Sequence, residues 1–198
     1  MKNFICLVMY FFFSATLMAE QSLLDRLIVE INGKSYSQKQ LETYELLRTI
    51  AMGEEPRSGL PSSKSWTAQV EEFKNEMIVY TQLENDQQKL ESFAPDSKRV
   101  ASAEMALTNA QGKFPELDRF IRGRQLSEAD ISRIFAMLFR VEGYTRSRQQ
   151  ITAAKTQDEN AFTRLDPEAD WFLALAKATS YRFYTKAKDY VALVPYRN

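Results

Sequence analysis

DRLIVEINGKSYSQKQLE, residues 25–42, holds a complete local folding instruction. Leu27, Val29 and Ile31 alternate with Arg26, Ile28 and Glu30, the period of a half-buried strand, which puts Leu27, Val29 and Ile31 on its inner face. Asn32-Gly33 supplies the left-handed backbone that a tight turn needs. Ser37 is placed to cap a helix while Gln40, three residues on, reaches back to the cap, forming a capping box. Tyr36 before the cap and Leu41 inside the helix complete a hydrophobic staple. The segment therefore reads as a short strand, a tight turn and a capped helix.

What precedes it has another character. Lys2 gives a short positive start, Phe4 to Met18 carry no charge, and Ala15 and Ala19 are small residues near a plausible cut. Such an apolar run is short for a membrane span, which needs roughly 20 residues, and suits a cleavable export signal over residues 1–19. Leu17, three residues before the cut, is an unusual choice there, and an uncleaved N-terminal anchor is the alternative reading. Cys6, the chain's one cysteine, lies inside the apolar run, so neither a lipid anchor nor a disulfide is expected in the exported protein. The expected destination is the periplasm, without stable membrane insertion after cleavage.

Composition narrows the function classes. Residues 20–198 are enough for one domain with a real core. Lys plus Arg number 26 and Asp plus Glu number 26, so no field of one sign favours nucleic acid. Six glycines and no GxGxxG or GxxxxGK[ST] run leave no phosphate cradle, hence no nucleotide cofactor. The chain has no histidine, which removes serine–histidine triads, histidine bases and most zinc sites. Carboxylate-only or Ser/Lys chemistry stays formally open, but no pair stands out. The expectation is a non-catalytic protein with no cofactor and no metal.

Downstream the pattern is helical. Leu41, Tyr44, Leu47 and Ala51 fit a first helix, and Gly53, Pro56, Gly59 and Pro61 break it. Ser65 is the expected cap of a long second helix with Trp66, Val70, Phe73, Met77 and Tyr80 as its stripe, ending near Ser92 before Pro95. A third follows Asp96 or Ser97, with Val100, Ala103 and Leu107 inward and Gly112 as terminator. Phe114-Pro115 opens a short fourth that buries Leu117, Phe120 and Ile121 and stops at Gly123. Ser127 with Asp130 starts a fifth lined by Ile131, Ile134, Phe135, Leu138 and Val141. Its stripe fades after Tyr144 into TRSRQQ, an end expected to project from the body.

Residues 152–165 are polar and read as a linker or a frayed helix end. Asp166-Pro167-Glu168 reads as the start of a closing helix with Trp171, Leu175 and Ala178 inward. Tyr181–Tyr184 and Tyr190–Tyr196, separated by TKAKD, read as a β-hairpin with Pro195 at a sheet edge. A lone hairpin is marginal in water, so the strand at Leu27–Ile31 is its expected third member. The fold class is mainly α: an irregular multi-helix module with a small antiparallel sheet joining the N-terminal strand to a C-terminal hairpin.

This order of elements resembles the core of SurA-type periplasmic chaperones over nearly all of residues 20–198. DRLIVEINGKSYSQKQLE looks like that family's opening, and FKNEMIVYTQLENDQQKL (Phe73 to Leu90) like its long second helix. PDSKRVASAEMAL and FPELDRFIRG are similar to the third helix and the short fourth. LSEADISRIFAMLFRVEGYTRSR resembles the helix leading out of the module, and ADWFLALAKA the closing helix. The family usually inserts parvulin prolyl-isomerase domains before that closing helix. Here about a dozen polar residues stand in their place, so the resemblance implies the chaperone core without the isomerase.

The resemblance implies ATP-independent binding of unfolded or extended segments of exported and outer-membrane proteins. The alternative, from another class, is a structural or accessory subunit of an envelope complex that binds one folded partner. Nothing in the chain fixes an oligomeric state. Trp66, Ile78, Met137, Phe139 and Tyr144 are the candidate client contacts, as apolar side chains surplus to the main stripes; the bland reading of each is core. Tyr181, Tyr184, Tyr190 and Tyr196 line a groove or simply cover the small sheet.

Overall fold

The Asn32-Gly33 turn closes a hairpin, so a second strand comes between the turn and the first helix. In the computed structural model, which describes residues 25–56, 63–152 and 162–184, Asn32 has φ 49° and Gly33 φ 81°. Two successive left-handed residues make the primed turn that matches strand twist. Strand β1 (Leu27–Ile31) pairs antiparallel with β2 (Lys34–Ser37) through Val29–Tyr36, Glu30–Ser35 and Ile31–Lys34.

The register slips between Leu27 and Val29, where Leu27 faces Ser37. This bulge sets Ile28 as the extra residue and breaks the expected alternation. Leu27, read as inward, is 48% exposed, while Ile28 is fully buried beside Val29 and Ile31.

Ser37 then caps helix α1 (Gln38–Ala51): its Oγ accepts from the Gln40 N–H at 3.3 Å, and the Gln40 side chain accepts from the Ser37 N–H at 2.8 Å. Tyr36 and Leu41 are both buried, as the staple requires. Helix α2 (Ser63–Glu84) begins two residues before the cap expected at Ser65. The single helix expected to run on to Ser92 is in fact two. Asn85 and Asp86 interrupt it, and the Asp86 carboxylate accepts from the Lys89 N–H to cap α3 (Gln87–Ser92).

Asp96 caps α4 (Ser97–Lys113). Gly112 lies within that helix and does not terminate it; Phe114 does, followed by Pro115 at the first position of α5 (Pro115–Gly123). The left-handed residue after α5 is Gln125 (φ 55°), beyond the break expected at Gly123. Ser127 and Asp130 cap each other reciprocally at the start of α6 (Glu128–Thr152).

Asp166-Pro167-Glu168 forms a turn, because the Asp166 carboxylate takes the Glu168 N–H at 2.9 Å. Helix α7 (Asp170–Ala178) therefore starts later and is capped by Ala169 without a side-chain bond. Its fully buried residue is Phe172; Trp171 and Leu175 are partly buried, and Ala178 is exposed.

Strand β3 (Tyr181–Phe183) returns to pair antiparallel with β1, giving the order β2-β1-β3. The described elements of the two chain ends therefore share one sheet, and the fold is mainly α with this small sheet. The Asn32 N–H donates to Ser180 O, and the Ser180 N–H donates to Asn32 Oδ1. Residues 1–19, the 57–62 part of the first loop and the second hairpin strand at 190–196 lie outside the described residues.

The core joins sheet to bundle. Helix α2 packs on β1, α1, α6 and α7, while α1 and α4 both rest on α6. Ile28, Val29 and Ile31 share one buried cluster with Phe73, Met77, Leu47, Phe120, Phe135 and Leu138. Tyr36 and Tyr44 meet Phe73 edge-on at 5.6 and 5.3 Å, which locks β2, α1 and α2 together.

Candidate functional site

Four of the five side chains expected to contact clients are core. Trp66, Ile78, Phe139 and Tyr144 are each at most 5% exposed, and Met137 is partly buried against the same cluster. Trp66 and Ile78 complete the inner side of α2, and Phe139 stacks on Phe135 at 6.4 Å. A helix gripped by neighbours on several sides buries more than one stripe, so surplus apolar residues mark crowding and not surface.

The exposed aromatics are at the end of the sheet. Tyr181, Phe183 and Tyr184 are 45%, 38% and 43% exposed. Tyr181 stands opposite Ile31 and Phe183 opposite Val29, and opposed residues share a face. The strip thus continues the buried Val29–Ile31 surface out into solvent. Its two rings meet edge-on at 5.7 Å, with Lys74 Nζ 4.7 Å from the Tyr181 ring and 5.8 Å from Phe183. Tyr184 turns its hydroxyl to Glu30 at 2.6 Å, and that bond raises its phenol pKa. Arg182 lies 5.2 Å over the Tyr184 ring. The result is an apolar strip rimmed by charges of both signs, with no catalytic grouping in it.

A second feature lies where α7 closes on the bundle. A cavity of about 240 Å³ is lined by Gln82 of α2, Lys89 of α3, Tyr144 and Arg148 of α6, and Trp171 and Leu175 of α7. Tyr144 is fixed on three sides: Phe93 meets it edge-on at 5.3 Å, Trp171 at 5.8 Å, and the Arg148 guanidinium lies 5.1 Å over its ring. Arg148 Nε also donates to the Tyr144 hydroxyl at 3.0 Å. Lys89 pairs with Asp86 at 2.7 Å. Trp171 Nε1 is buried without an acceptor. Of the residues expected to touch clients, Tyr144 is the one this cavity includes.

Two buried ionic clusters hold these surfaces in place. Arg48 reaches Glu72 at 2.5 Å and both Glu45 and Glu76 at 3.0 Å, while Tyr44 donates to Glu76 at 2.5 Å. Burial pushes the Glu45 carboxyl up to about 8, against the pull of Arg48 and with the help of Glu76 and Glu72. Burial also raises Glu76 and raises Tyr44 well above a phenol's ordinary value. Glu72 is half in water; burial opposes its charge, but the hydrogen bond and charge of Arg48 win and lower it. One guanidinium thus serves three acids, and among the described residues no three acids gather as metal ligands.

The other cluster centres on buried Glu142. It accepts from Arg99 at 2.7 Å, from Arg146 at 2.6 Å and from the Thr163 backbone N–H at 3.1 Å. Burial opposes its charge, yet these donors hold its pKa below the ordinary carboxylate value. Gln149 adds a bond to Arg164 O at 3.1 Å. The end of α6, expected to project, is therefore covered on its polar side by the returning segment 162–165. Glu76 lies three residues after Phe73, and Glu142 lies three after Phe139 and four after Leu138. An acid at stripe spacing was the signal for both clusters. Comparison with protein-family models, with curated proteins and with solved structures finds no match to this chain.

Proposed function

We propose that this chain is a periplasmic, ATP-independent chaperone-like protein that binds unfolded or extended segments of exported and outer-membrane proteins without catalysis. The observation that carries the reading is the exposed aromatic pair Tyr181 and Phe183 on the strand that unites the two ends of the fold. Adjacent exposed aromatics offer large apolar area at low cost in side-chain freedom. Their charged rim keeps the strip wet when unoccupied, and adjoining apolar side chains at the surface are what an apolar segment of a client would cover. The SurA-like order of elements and the export-signal character of residues 1–19 support the same reading.

The strip demands no one sequence from its partner, which suits many clients bound weakly. The test is the aggregation of a urea-unfolded outer-membrane protein on dilution, followed by light scattering. Slowing at a few-fold molar excess of the chain is expected. An unchanged aggregation rate, together with one stoichiometric folded partner in pull-downs, would point instead to an accessory subunit of an envelope complex.

A further inference from the structure

We propose that the cavity beneath α7 binds the C-terminal residue of a polypeptide client, holding its terminal carboxylate and seating its side chain. This rests on the reading of the chain as a polypeptide-binding protein and names the part of the client that one site takes. The lining divides by chemistry. Tyr144, Trp171 and Leu175 offer apolar surface, while Lys89, Arg148 and Gln82 carry hydrogen-bond donors. Among the described lining residues there is no carboxylate. A group that satisfies both halves carries negative charge on an apolar body.

Size narrows the choice. At about 240 Å³ the space is below the roughly 300–1,000 Å³ of typical ligand pockets, so it suits one residue and not an extended segment. The last residue of a chain is the one place where a polypeptide puts a carboxylate next to an ordinary apolar side chain. Arg148 is held over Tyr144 by its Nε bond, so its guanidinium plane is fixed before a ligand arrives. Lys89 is shared with Asp86; that pair is solvent-exposed and worth little, so the ammonium, with three donors, turns to a second anion cheaply. Capture of a chain-terminal carboxylate by a set of donors is an established mode of peptide recognition.

The experiment compares two labelled peptides of one sequence ending in Leu, one with a free C-terminus and one amidated, titrated with the protein by fluorescence anisotropy. The free acid is expected to bind about tenfold or more tightly than the amide, the range for a charge-assisted hydrogen bond. Lys89→Gln and Gln82→Leu should each weaken the acid by roughly three- to tenfold and so narrow the ratio between acid and amide. Thermal unfolding of both variants confirms that they fold.

Equal binding of acid and amide would overturn the cavity assignment while leaving the polypeptide-binding reading intact. N-acetyl-leucine competing at the peptide's own concentration would show a site for small acids and overturn the chain-end assignment. If neither peptide binds, the cavity assignment falls, and the aggregation assay separately decides whether the broader reading falls with it.

Discussion

Replacing Glu45 by Gln should stabilise the protein, and increasingly so as pH rises. Glu45 shares Arg48 with Glu72 and Glu76, and its carboxyl is raised from 4.5 to about 8. The folded state therefore binds a proton that the unfolded chain has released, over the window between those two values. Stability from this group is full below the ordinary carboxylate range and falls as pH climbs toward 8. At about 1.4 kcal/mol per pH unit, the window caps the loss at roughly 5 kcal/mol. Glu76 is raised by the same burial and is coupled to Glu45 by charge, so the part removed by a neutral Gln is about 2–3 kcal/mol. Gln keeps the shape and an acceptor for Arg48. Urea unfolding at pH 5, 7 and 8.5 is the assay. With a slope of about 1–3 kcal/mol per molar, the variant's midpoint should exceed the parent's by about 1–2 M at pH 8.5 and by much less at pH 5. A midpoint difference that stays constant with pH would refute the account of a guanidinium shared by too many acids.

Glu142→Gln should destabilise by about 2–4 kcal/mol, since it leaves Arg99 and Arg146 without their buried partner. Because the Glu142 pKa is lowered in the fold, its contribution is present above the ordinary carboxylate range and lost as pH falls through the lowered value. The variant's deficit, read by thermal unfolding, should therefore shrink in acid. Truncation before Ser180 removes a strand whose side chains are all exposed but uncovers the edge of β1. The expected loss is about 3 kcal/mol, or roughly 6–12 °C in Tm by circular dichroism, with a cooperative transition retained. In a protease-coupled assay the chain should leave X-Pro isomerisation at its uncatalysed pace of tens of seconds; the stretch 152–165 is too short to hold a parvulin domain.

Local chemistry was legible where it was self-contained. The Ser37–Gln40 box, the Asp96 cap, the Ser127–Asp130 cap and the Phe114–Pro115 junction all form as their residues dictate. The strand at Leu27–Ile31 and its return partner at Tyr181 were also readable, because a lone hairpin needs a third strand. What failed was of two kinds, local carboxylate bonds that override periodicity, and register or burial set by distant neighbours. A bulge shifted Leu27 out and Ile28 in, since register follows the whole ladder and not one strand's alternation. Asp86 broke a helix that periodicity would have carried through, because its carboxylate caps α3. Asp166 spent its carboxylate on a turn and delayed α7. At the site, Trp66, Ile78 and Phe139 were drawn into the core by helices packed on several sides, which a single stripe cannot reveal. The cavity residues, from Gln82 to Leu175, belong to four helices and carry no joint signature along the chain.

The most direct test of polypeptide binding through the β3 strip is the affinity of a fluorescently labelled, urea-diluted outer-membrane protein for the wild-type chain and for Tyr181→Ser/Phe183→Ser. Both variant positions are exposed, so the double variant should keep its fold, checked by thermal unfolding. Wild type should bind at micromolar Kd, and the double variant about tenfold more weakly, the loss of two partly buried aromatic contacts at roughly 0.7 kcal/mol or more each. Equal affinity of the two proteins, or no binding by either, would contradict the account.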